Sequence, residues 1–113
     1  MNDMTVCIPL NADGTIHDRL GQAHTVALCH VVDGQVTDWT EHVVDWDTTY
    51  GVDVLGVHHP RVIRFLQGNS VNAVVADNVC DIMKSTLPTL GITVRSGVTG
   101  DAREALTAVS FAA

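Results

Sequence analysis

The sequence predicts an α/β protein built on a five-stranded mixed sheet flanked by helices. Three observations lead there. Val71–Ala76 is a short, β-branched apolar run followed by Asp77-Asn78. Val79, Ile82, Met83, Leu87 and Leu90 then repeat at helical spacing until Gly91, and Ile92-Thr93-Val94 resumes an extended pattern. This is the signature of a βαβ unit, which joins parallel strands. Upstream, Asp33-Gly34 separates two apolar stretches, a strong signal for an antiparallel hairpin. The order β-β-β-α-β-α-β-α over 113 residues suits one domain spanning 1–113.

Each element has its own local reason. Thr5–Leu10, TVCIPL, is apolar on both faces and reads as a central strand, with Pro9 near its end because a ladder interior needs the missing N–H. Asn11-Ala12-Asp13-Gly14 is turn chemistry, and a loop continues through His17, Asp18, Arg19, Leu20 and Gly21. Thr25–Val32 and Val36–Trp46 form the hairpin arms; in the second, Val36, Asp38, Thr40 and His42 share one face, and Thr37, Trp39, Glu41 and Val43 the other. Asp47–Val57 shows no sustained period and reads as a loop. His59 caps a helix whose first position is Pro60, whose buried stripe is Val62, Ile63 and Leu66, and which Gly68-Asn69 ends. Pro88 should bend the next helix in its last turn. Asp101 and Glu104 have capping-box spacing for the final helix.

Composition excludes several classes. Hydrophobic residues make up 46% and charged residues 17%, as in globular proteins. Thirteen acidic against six basic residues give a net charge of −7, the wrong sign for nucleic acid or an anionic membrane. No membrane span or signal pattern is present in the sequence, which favours a cytoplasmic setting. Three scattered cysteines, Cys7, Cys29 and Cys80, make neither a disulfide framework nor a paired zinc motif.

Ligands of α/β proteins gather at the carboxyl ends of parallel strands. Connectivity brings four segments to that edge: Asn11–His24, Trp46–His59, Asp77–Cys80 and Ser96–Asp101. They carry His17, His24, His58, His59 and Cys80, whereas His30 and His42 fall within strands. Imidazole and thiolate suit copper, iron–sulfur and other soft metals, so His24, His58, His59 and Cys80 are the candidate ligands. Each has an ordinary alternative: His24 as a strand-end packing residue, His59 as a helix cap, Cys80 as packing, His17 as a solvated loop residue. Two helix N-termini, near Pro60 and Val79, aim free N–H groups at the edge, and Arg19, Arg61 and Arg64 are expected close to it. Arg19, Arg61 and Asn78 are therefore candidate anion contacts. Such surroundings repel a bare cation and favour an anionic metal–sulfide species.

TVCIPLNADGTIHDRLGQAHTVALCHVVDG, VNAVVADNVCDIM and LGITVRSGVTGDAREAL together resemble the dinitrogenase iron–molybdenum cofactor biosynthesis family, whose members include cofactor carriers and the C-terminal part of NifB-like proteins. The resemblance runs through nearly the whole chain, through the Leu20-Gly21-Gln22-Ala23 turn, Leu90–Val94, and Gly100 with Glu104-Ala105-Leu106. It implies a ribonuclease H-like fold that carries an iron–molybdenum or molybdenum/copper-type metal–sulfur cluster. Such a carrier catalyses no reaction, works between a cluster donor and an acceptor protein, and is a monomer or weak homo-oligomer. Gln22 stands where relatives usually carry arginine. The alternative is a metal-free interaction or regulatory module of the same fold. A nuclease is disfavoured, since the first strand offers Cys7 and Ile8 where that chemistry needs acidic residues.

Overall fold

A computed structural model describes residues 3–33, 35–46 and 58–108, with the side chains of 3, 58–60, 107 and 108 outside the description. Five strands, β1 (Asp3–Leu10), β2 (Thr25–Val32), β3 (Gln35–Val43), β4 (Ala73–Val75) and β5 (Thr93–Arg95), form one sheet in the order β3-β2-β1-β4-β5. The pairs β1–β2 and β2–β3 are antiparallel, and β1–β4 and β4–β5 are parallel. This is the mixed sheet that the residue pattern predicts. The described helices are α1 (His58–Gly68), α2 (Asp81–Thr86) and α3 (Ala102–Ala108).

β1 is central, and Val6, Cys7, Ile8 and Leu10 are all buried. Two apolar layers result. Cys7, Val26 and Val74 pack with Val62 and Leu66 of α1 and Met83 of α2 on one face. Val6, Ile8, Ala27, Cys29, Ala73 and Val75 pack with Ala102 and Leu106 of α3 on the other. Cys7 and Cys29 therefore belong to opposite faces, and both remain free thiols. Pro9 is tolerated as the next-to-last residue of β1, past the point where the β4 pairing ends at Cys7–Val74. Asn72 extends that pairing: its carboxamide accepts the Thr5 N–H at 2.8 Å while its own N–H donates to the Thr5 carbonyl, also at 2.8 Å.

Four local expectations need correction. The register of β2 against β3 shifts between His30 and Val31, so that His30 faces Asp38 but Val31 faces Val36. Thr37 is the extra residue of a β-bulge, and Val36 moves to the Trp39 face, where it packs against the second layer. The second arm also ends at Val43 rather than Trp46. Pro60 is not the first helical residue, since α1 already begins at His58. It still lies in the first turn, where no intrahelical bond needs its N–H. The helix expected from Val79 to Leu90 is split: α2 spans six residues, Asp81–Thr86, and Pro88 sits in a separate 3-10 turn, Leu87–Leu90, that closes on Gly91 at φ +79°. Cys80 is thus the N-cap of a short helix rather than a residue of its first turn, and it makes no side-chain capping bond there.

Candidate functional site

The loop after β1 is held in place by its neighbours. Asn11 and Gly14 close the turn through Asn11 N–H to the Thr15 carbonyl (2.8 Å) and Gly14 N–H to the Asn11 carbonyl (3.1 Å). Gly14 takes φ +87°, which only glycine adopts without strain. The Asp13 carboxylate accepts from the Thr15 hydroxyl and N–H, and these bonds hold it below the usual carboxylate range. Further on, Ile16 N–H donates to the Gly100 carbonyl (2.8 Å) and Ala102 N–H to the Gly14 carbonyl (3.1 Å), stitching the loop to the start of α3. Asp101 caps that helix, accepting the Glu104 N–H at 3.1 Å as the spacing predicts.

The same loop meets the segment after β4. Arg19 and Asn78 form an isolated parallel bridge, with Leu20 N–H donating to the Asn78 carbonyl (3.2 Å) and Asn78 N–H to the Asp18 carbonyl (2.9 Å). Leu20 is buried in the core beside Val79, and the Leu20–Gln22 turn packs against α1. Loop 11–24, the end of β3, the residues leading to Cys80 and the turn before α3 therefore share the carboxyl edge of β1. Residues 47–57 of the expected segment Trp46–His59 lie outside the description.

The candidate residues take different places on this edge. His24 precedes β2 and is exposed. Its carbonyl accepts both the Val44 N–H (2.9 Å) and the Asp45 N–H (3.2 Å), and Trp46 N–H donates to the Ala23 carbonyl (3.1 Å). Asp45 turns at φ +55°, and its Oδ1 lies 3.1 Å from His24 Nδ1. Cys80 is exposed beside the Arg19–Asn78 bridge, whereas Cys7 and Cys29 are buried; burial pushes both thiols up, Cys29 to about 12 although Arg103 opposes the shift. Nδ1 of His17 lies 3.0 Å from the backbone N and O of Arg19 and 3.3 Å from Asp18, a local turn contact that favours a structural role. Arg19, Arg61, Arg64 and Asn78 are all exposed. His58 and His59 begin α1, with side chains outside the description. His30 and His42 stand within β2 and β3, and His42 meets Phe65 edge-on at 5.9 Å.

Among the described residues no group of three or more His, Cys, Asp or Glu side chains is arranged to hold a metal ion. A shallow cleft of about 210 Å³ opens beside His24, with Asn11, Gly14 and Glu41 on its walls. Residue spacing alone does not find Asp45 or Glu41. Glu41 reaches the cleft wall from β3 and Asp45 meets His24 just past the end of that strand, which only the strand register reveals.

No family model matches the chain, and no curated protein matches it. Solved structures do. The protein PH0822 superposes with a TM-score of 0.75 at 16% identity over 93% of this chain and 87% of its own. A protein from Methanocaldococcus jannaschii, provisionally described as a dinitrogenase, gives 0.67 at 14% identity over 95% and 88%. A Thermotoga protein, provisionally described as a NifB protein and assigned to the DUF35 family, gives 0.64 at 25% identity over 93% and 85%. The first two likenesses establish the fold. The third is a loose link to a protein described as NifB-like. Among the described residues no helix is long and apolar enough to cross a membrane.

Proposed function

We propose that the chain is a small cytoplasmic binding protein that carries or chaperones an anionic metal–sulfur cluster, of iron–molybdenum or molybdenum/copper-sulfide type, between a donor and an acceptor protein, without catalysing a reaction. The observation that carries this reading is the exposed His24 at the carboxyl edge of β1, gripped by Asp45, in a fold shared with proteins described as dinitrogenase- and NifB-like. A soft donor, Cys80, stands beside the loop that bridges to Arg19. Arg19, Arg61 and Arg64 are three of the six basic residues in a chain of net charge −7. Arg19 belongs to the loop at this edge, Arg61 lies in the first half of α1, and Arg64 follows one turn later. Those guanidinium groups would attract an anionic guest, and they share the edge with the carboxylates of Asp13, Asp18, Glu41 and Asp45. A carrier must also release its cargo, and few protein ligands serve release better than a closed four-ligand cage.

The test is anaerobic loading with tetrathiomolybdate or isolated cluster, read by metal content and visible absorption. The reading expects about one equivalent bound and loss of uptake when His24, His58, His59 and Cys80 are replaced together. No uptake by the native chain, or unaltered uptake by the fourfold variant, refutes it.

A second reading starts from the large apolar side chains of Val43 and Ile82, which are exposed. In it the fold serves as a metal-free interaction module. Its mark would be a stable partner retained equally by native and fourfold-substituted protein in the presence of chelator.

A further inference from the structure

We propose that Asp45 is a positioning residue for His24: its carboxylate accepts the Nδ1–H and holds the neutral imidazole in the tautomer whose lone pair is on Nε2. Two independent observations support this. The first is the 3.1 Å approach of Asp45 Oδ1 to His24 Nδ1. An ionised carboxylate can only accept, so the shared proton belongs to the imidazole nitrogen.

The second is the backbone. Asp45 is one of three described non-glycine residues with positive φ, at +55°. Asp33, another, sits in the Asp33-Gly34 hairpin turn, where a left-handed residue is what the turn requires. At Asp45 the conformation does something else. It lets the Val44 and Asp45 N–H groups converge on the His24 carbonyl and brings the side chain back over the imidazole. Glycine would take this φ without strain, so the turn alone does not call for aspartate. Both side chains are more than half exposed, 55% and 57%, and an ion pair so solvated adds little stability. Selection of one tautomer needs no such stability, because the partner of one ring nitrogen decides which nitrogen is left to ligate.

The consequence for cargo rests on the carrier reading; the tautomer does not. The experiment uses the full 15N-labelled chain, metal-free, at a pH about two units above the ordinary imidazole range, with long-range 1H–15N correlations. Wild-type His24 should show a protonated, pyrrole-type Nδ1 and a pyridine-type Nε2. Asp45→Gly, which keeps the backbone turn, should lose that preference while its melting temperature holds or rises. Asp45→Asn, whose neutral carboxamide oxygen also accepts, should restore part of it. A pyridine-type Nδ1 in the wild type overturns the proposal even if the variants fail to fold, and so does an Asp45→Gly spectrum identical to wild type. Tetrathiomolybdate is the cargo probe, and Asp45→Gly should weaken its binding about 10- to 100-fold. If wild-type protein takes up none, the carrier reading falls while the spectrum still decides the tautomer.

Discussion

Arg19 and Asn78 form a parallel bridge between two loops, and their neighbours Leu20 and Asp18 exchange backbone hydrogen bonds with Asn78 on both sides of it. The bridge acts as a one-residue extension of sheet-like pairing at the edge where Cys80 emerges. Its strength lies in the main chain, because both of its bonds use Asn78 N–H and C=O.

Asn78→Pro therefore removes the donor to the Asp18 carbonyl, leaves that acceptor short of a partner, and should cost about 1–3 kcal/mol. Asn78→Ala keeps both backbone bonds and should fall within about 0.5 kcal/mol of wild type, as exposed substitutions do. Urea unfolding at neutral pH separates the two. Equal losses would mean that the carboxamide, not the backbone, ties the loops together.

Trp46 is the largest fully buried side chain among the described residues, and it meets Phe65 of α1 edge-on, with centroids 5.5 Å apart at 87°. It thereby joins the end of the hairpin to the crossover helix. Trp46→Ala should cost about 3–5 kcal/mol through lost burial and the cavity left behind. Trp46→Phe keeps a ring and should cost clearly less. Denaturant midpoints at constant m-value provide the measurement.

Of the three thiols, only Cys80 is exposed; Cys7 and Cys29 are fully covered on opposite faces of the sheet. Native protein should consume one equivalent of Ellman's reagent quickly, and all three should react after unfolding in guanidinium. Cys80→Ser should abolish the fast phase and leave the melting temperature nearly unaltered, since the side chain packs no core. A fast phase of more than one equivalent would require a sheet that opens locally at β1 or β2.

How far these features could be read from residues alone depends on whether their cause is local. Asp33 before Gly34 gave the hairpin, and Asp33 does take φ +51° there. Asp101 and Glu104 gave the helix cap, and Gly91 the left-handed stop. In each case a few neighbouring residues carry the whole argument. The bulge at Thr37 is different, because one extra residue leaves the alternation of each half intact and only the partner strand reveals the shift. Pro88 was readable as a bend, but the break into α2 and a separate 3-10 turn follows from packing Leu87 into the core. At the edge, connectivity alone places His24 just before β2 and Cys80 just after β4. The Asp45 grip escapes it, since the left-handed turn there depends on a carbonyl contributed by another strand end.

Alkaline stability should report the two covered thiols. Burial raises both, Cys29 from the ordinary 9.0 to about 12 and Cys7 still further. As pH climbs past 9, thiols in the unfolded chain release protons while those in the folded chain retain them. The unfolded state then binds fewer protons, so folding stability falls with rising pH. The contribution is fully present below the unfolded thiol range and declines between about pH 9 and 12. Cys7→Ala with Cys29→Ala removes both groups, and its stability plotted against pH over that window should fall less steeply than wild type, whatever its value at pH 7. Chemical denaturation at half-unit pH steps provides the two slopes. Parallel slopes would show that neither thiol resists ionisation in the folded chain, and that β1 and β2 admit water to their sulfur atoms.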